Sequence, residues 1–127
     1  MNGFLAVAAG GAMGAAMRHG VSLLALRHLP NGWPHGTFTV NILGSFLMGF
    51  LISWLAFRGQ GGPQELRLFL ATGVLGGFTT FSAFSLEVGN FVRSGDLTRA
   101  ALYAGLSVVL GLGALLLGMW LSRKLFA

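Results

Sequence analysis

Four apolar stretches, near 3–26, 35–57, 67–92 and 97–122, take up almost the whole of this chain. Each reaches the roughly 20 residues that an α-helix needs to cross a bilayer. In hydrocarbon every backbone N–H and C=O must be paired within the protein, so segments of this length cross as helices. A soluble core fails on composition: 54% of the residues are hydrophobic and 9% charged, too few to coat a water-facing surface. Twenty-one glycines suit a membrane bundle, where small residues let helix backbones approach closely. The first stretch has the length of a secretory leader, but it lacks a basic start and carries Arg18 inside it. The sequence therefore predicts one all-α membrane domain over 1–127, with four transmembrane helices.

Short polar links separate the stretches. Pro30, Asn31, Gly32 and Pro34 fill the first, Gly59, Gly61, Gly62 and Pro63 the second, and Ser94, Gly95 and Asp96 the third. With four crossings, Arg58, Arg67, Arg123 and Lys124 fall on one side, and Arg27, Arg93 and Arg99 on the other. Four against three is almost no bias for the positive-inside rule to act on. Either a weak bias still resolves one way, or the chain inserts both ways and pairs as a dual-topology antiparallel homodimer. Four helices alone enclose little room for a polar path, which favours two copies. The net charge of +5 is spread without a basic stripe, so no nucleic-acid partner is expected. Cysteine is absent, which excludes disulfides, thiolate metal sites and cysteine catalysis.

The third stretch contains Gly73-Val-Leu-Gly-Gly-Phe-Thr-Thr-Phe-Ser-Ala-Phe84. Glycine pairs loosen a helix and hydroxyls compete for its backbone, so a break is expected here. At membrane depth a break persists only where protein or a water-filled path covers it, which points to an ion or substrate site.

Polar residues recur on the neighbouring stretches. Thr37, Asn41, Ser45, Gly49 and Ser53 follow one another at i+4 on the second, and Tyr103, Ser107 and Gly111 on the fourth. Such stripes serve either as hydrogen-bonding glue between helices or as a polar track. Asn41 favours the track, because a buried carboxamide has two N–H groups to offer an anion. Arg18 either snorkels to the surface or lines a vestibule that draws in anions. Phe81 and Phe84 share a face just after the expected break, and aromatic ring edges are positive.

Several chemistries lack their residues. Glu87 is the one acid within a stretch, in its last turns where water is near, so a titrating carboxylate for proton coupling is not evident. His19, His28 and His35 are scattered, which makes no transition-metal site, and no Ser/His/Asp arrangement suggests hydrolysis. No enzymatic activity is expected.

Three motifs then carry a resemblance. Gly10-Gly-Ala-Met-Gly-Ala-Ala-Met-Arg-His19 resembles the GGxxGAxxR motif of the Fluc (CrcB) fluoride channels. Thr37-Phe-Thr-Val-Asn-Ile-Leu-Gly-Ser-Phe-Leu-Met-Gly49 resembles that family's TLxVNxxGSFxxG, and Gly76-Gly-Phe-Thr-Thr-Phe-Ser-Ala-Phe84 its GGxTTFSTF. The three occur in the family's order and cover essentially the whole chain.

The resemblance implies a passive fluoride-selective channel in the plasma (inner) membrane of a bacterium. It would be a dual-topology antiparallel homodimer with two pores that relieves fluoride toxicity. It places a phenylalanine pair on Phe81 and Phe84, a pore asparagine on Asn41 and a vestibule arginine on Arg18. Thr80, Ser82, Tyr103 and Ser107 complete the expected pore. A structural Na⁺ at the dimer two-fold is expected on the backbone carbonyls of Gly76 and Thr79. Departures from the family pattern are His19 for tyrosine, Ala83 for threonine, and Gly111 for a hydroxyl residue. One rival is a small dual-topology drug/proton exporter, which would need an acid in the first stretch, where this chain has Arg18. The other is a non-transporting assembly subunit joined through Gly10-xxx-Gly14 and Ser45-xxx-Gly49.

Overall fold

A computed structural model describes residues 2–59 and 62–127; the expected turn residue Gly61 lies outside them. Among the described residues every regular element is helical. The chain runs through α1 (Gly3–His28) and α2 (His35–Phe57) into a third long span, Gln64–Arg93. That span is built from α3 (Gln64–Arg67), a π-helical stretch (Leu68–Leu75), α4 (Gly76–Phe78) and α5 (Phe81–Arg93), after which comes α6 (Leu97–Phe126). Three helices among the described residues are long and apolar enough to cross a membrane: α2, the third span and α6. The first helix, 26 residues long, is not one of them. Glycine and alanine dominate it, and Arg18 and His19 fall inside it.

Local chemistry fixes the helix starts. The Asn2 carboxamide accepts from the Phe4 N–H at 2.7 Å, and the Asp96 carboxylate from the Arg99 N–H at 3.0 Å, each pairing a donor that the first turn leaves free. Between α5 and α6 the reversal is made at Gly95, whose φ of 83° is one that residues with a Cβ rarely adopt. Helix α6 continues past its apolar stretch through Arg123 and Lys124, cations that suit a helix C-terminus.

Packing divides the bundle into two pairs. Helix α1 lies along the π-helical stretch and α4, while α2 lies along α6, with α5 resting on α6. Both pairings are backbone to backbone. A Cβ at Gly10 or Gly14 would run into the carbonyls of Phe69 or Val74, and one at Gly49 or Gly118 into those of Leu115 or Phe46. The Gly10-xxx-Gly14 face is thus used within the chain, against the third span.

Tyr103, Leu55 and Val40 are fully buried between the helices, whereas many leucines and valines of α6 stay exposed on its outer side, as lipid contact requires. At one end of the bundle Arg58 stacks on Trp54 and Lys124 on Trp120, with 5.0 and 5.7 Å to the ring centroids. Aromatic rings paired with cations favour the membrane–water boundary.

Candidate functional site

Between α4 and α5 the backbone leaves helical geometry. Thr79 has φ −89° and ψ 160°, and Thr80 has φ −153° and ψ 121°, both extended. Thr79 closes the upstream turn, its N–H and hydroxyl both donating to the Leu75 carbonyl at 3.1 and 3.0 Å. Thr80 opens α5, its hydroxyl accepting from the Ala83 N–H at 3.2 Å.

Extended residues inside a bundle need partners from elsewhere, and for Thr80 a neighbouring helix supplies them. Asn41 of α2 donates from Nδ2 to the Thr80 carbonyl at 3.0 Å and accepts the Thr80 N–H on Oδ1 at 2.8 Å. A single side chain thereby pairs both polar groups of one residue, as a neighbouring strand would. Arg18 of α1 donates from Nε to the Gly77 carbonyl at 3.0 Å, at the C-terminal end of α4. Neither the Gly76 nor the Thr79 carbonyl accepts any of these bonds.

A cleft of about 320 Å³ opens beside this segment, between α2, α5 and α6. Of the residues expected to form a site, it gathers Asn41, Thr80, Phe81, Phe84 and Ser107. The rings of Phe81 and Phe84 are 5.7 Å apart and tilted by 42°. Phe81 is 78% exposed, so most of one large ring has nothing from its own chain against it. The Ser107 hydroxyl oxygen is buried and has no hydrogen-bond partner. Tyr103 does not line the cleft, but its ring lies 5.2 Å from that of Phe84. Ser82 is exposed outside the cleft, 3.3 Å from the Thr80 hydroxyl. Arg18 is likewise outside it, on the α1 side of the third span.

Beyond Phe84 lies a group that the sequence did not assemble. The Glu87 carboxylate accepts the Tyr103 hydroxyl at 2.6 Å and the Thr37 hydroxyl at 2.7 Å. Trp33, Phe38 and Phe91 surround Tyr103, with ring centroids 5.4, 6.1 and 6.1 Å away. Two signals were available in the sequence: Thr37 and Tyr103 each begin an i+4 stripe, and Glu87 lies three residues after Phe84 on the same helix face. Among the described residues no three histidines or acids come together to hold a metal ion.

The family model for CrcB-like protein, Camphor Resistance (CrcB), matches residues 5–119. A curated relative from Hyphomonas neptunium, named fluoride-specific ion channel FluC, is 65% identical over 127 residues, spanning all of both chains. Relatives bearing the same name from Caulobacter vibrioides and Phenylobacterium zucineum are each 50% identical, again over all of both chains.

Proposed function

The chain belongs to the CrcB-like protein family, and on that premise we propose that it is a fluoride channel: a multi-pass bacterial membrane protein that lets fluoride leave the cytoplasm down its electrochemical gradient. Fluoride enters cells as HF from acidic surroundings, dissociates and is trapped, so a passive exit for the anion relieves its toxicity. The observation that carries the reading is the full-length similarity to fluoride-specific channels, at 65% identity. The cleft beside Thr79 and Thr80 supports the reading as the candidate route for the ion.

Fluoride is small and strongly hydrated, so a pore must replace its water with several close donors while holding it tightly at none. The cleft offers that kind of lining. Ser107 has a buried, uncommitted hydroxyl, Asn41 keeps one N–H beyond the one used on Thr80, and Phe81 and Phe84 can present positive ring edges. Thr80 and Ser82 add hydroxyls at the start of α5, and Tyr103 stands at the far side of Phe84. Arg18 attracts anions toward the bundle from the α1 side.

The working unit in this reading is an antiparallel homodimer, with α1 as a fourth crossing and the third span as a broken helix. The exposed face of Phe81 supports a second copy, which would cover it. The family's structural Na⁺ fits the chain's donor set, because hard cations take oxygen ligands and the Gly76 and Thr79 carbonyls are uncommitted among the bonds around the extended segment. Those carbonyls from both copies would hold the ion and tie the two third spans together.

The test is efflux from liposomes containing the purified protein, under a K⁺/valinomycin drive and without a proton gradient. A fluoride electrode should register fast release, and chloride release under the same drive should be small. Equal release of both ions would overturn selectivity. Absence of release from well-incorporated protein would overturn the channel.

A further inference from the structure

The hydrogen-bond donors of the cleft can be accounted for one by one. Asn41 has committed its oxygen and one N–H to Thr80. The Thr79 hydroxyl is committed to the Leu75 carbonyl, and that of Thr80 lies between the Ala83 N–H and the Ser82 hydroxyl. What remains on the lining is the second N–H of Asn41 and the hydroxyls of Ser107 and Ser45. The Ser107 hydroxyl oxygen is buried without a partner. The Ser45 hydroxyl makes no hydrogen bond among the described residues, not even the bond to the carbonyl four residues back that serines on membrane helices commonly form.

Position gives that free hydroxyl a use. Ser45 stands one turn beyond Asn41 on α2, on the same face and in the same cleft. Across from it, one turn beyond Ser107 on α6, is Gly111, which has no side chain to offer. A Cβ built at Gly111 would meet a single neighbour, the Ser45 hydroxyl oxygen at 3.7 Å. An ion passing from Ser107 along α6 therefore reaches a bare stretch of helix, and the donor beside it comes from the opposite wall.

Deepening the channel reading on which it rests, we propose that Ser45 is a fluoride-contacting residue, whose hydroxyl hands the ion past Gly111 as the partner of Ser107. The two hydroxyls on facing helices then form consecutive donor sites along the path. One helical turn, about 5.4 Å, separates positions along each helix, a spacing that lets a new donor engage before the last is lost.

The experiment is fluoride efflux from liposomes for wild type, Ser45→Ala, Gly111→Ser and the double variant, each checked for wild-type elution in detergent. Ser45→Ala should lower the fluoride rate roughly tenfold and raise the half-saturating fluoride concentration, the scale expected for one hydrogen bond to an anion. Gly111→Ser, for which the structure has room, should restore most of the rate in the Ser45→Ala background by returning a hydroxyl from the other wall. A wild-type rate in Ser45→Ala would overturn the proposal. So would a lowered rate that Gly111→Ser fails to restore, since a packing role predicts no rescue by a hydroxyl across the cleft. Lack of fluoride flux in the wild-type protein would remove the channel reading itself, and this proposal with it.

Discussion

The third span has two sides of opposite character. Toward α1 it is closed: Gly10 and Gly14 bring backbone against backbone, and Gly77 meets Gly11, where a Cβ would lie 2.6 Å from the Gly11 carbonyl oxygen. Toward α2 and α6 it is open, and the space is a cleft lined by hydroxyls, a carboxamide and two phenylalanine rings. The closed side fixes where the extended residues sit, and the open side exposes what they carry. A path for an ion through helices needs both, because donors arranged on a mobile wall would not stay in register.

The sharpest way to break this contrast is to add one methyl group on each side. Gly14→Ala places a Cβ onto the Val74 carbonyl and beside the Phe78 N–H at 2.8 Å, and neither backbone can move alone. We expect a cost of about 3 kcal/mol or more, read as loss of monodisperse protein after extraction. Gly111→Ala on the cleft side meets only the Ser45 oxygen at an ordinary contact distance, so the protein should extract and elute as wild type. Equal behaviour of the two variants would abolish the distinction between a closed and an open side.

Within the open side the rings come next. Phe81→Ile or Phe84→Ile keeps apolar bulk but removes the ring edge, so fluoride efflux should fall at least tenfold while the protein still assembles. Normal flux in both would eliminate the ring-edge mechanism. A smaller, mixed effect is expected at Asn41, which joins the two sides by bonding Thr80 from α2. Asn41→Ala strands the Thr80 N–H and carbonyl, each costing about 1–3 kcal/mol if left unpaired. Thermal stability in detergent and fluoride efflux should therefore drop together. A drop in flux with unchanged stability would show that Asn41 acts on the ion alone.

The sequence disclosed the two sides unequally. Apolar length and glycine content predicted a helical chain, because helices are the way to pair a backbone in lipid. The glycine–hydroxyl run over 73–84 contains Thr79 and Thr80, where the backbone is extended, and helix-weakening residues of that kind act locally and need no tertiary knowledge. The i+4 stripe on α2 likewise put Asn41 and Ser45 on the face that lines the cleft. What local patterns do not encode is pairing across the bundle. The Asn41–Thr80 clamp spans 39 residues of sequence and the Thr37–Glu87 bond 50, so periodicity along one helix marks faces that carry these residues but does not say which face meets which. The π-helical stretch was hidden for a related reason: Leu68–Leu75 is as apolar as an α-helical segment, and its backbone is set against Gly10 of another helix.

Arg18 offers the finest division of the closed side, because charge and hydrogen bond are carried by the same group. Its Nε donates to the Gly77 carbonyl, a contact that holds α4 just before the extended residues. In the proposed channel its positive charge would act at longer range on approaching anions, and salt would screen that action over about 8–10 Å. Arg18→Gln keeps an N–H donor able to reach the carbonyl and removes the charge. Thermal stability should then change little, fluoride efflux at low ionic strength should fall a few-fold, and the difference from wild type should shrink as salt is raised. Arg18→Met removes both functions, and stability should fall by about 1.5–3 kcal/mol, the range for a hydrogen bond to a charged group. If Arg18→Gln destabilises as much as Arg18→Met, with a flux deficit that salt does not narrow, the arginine acts as a brace for the third span, and its field contributes nothing to conduction.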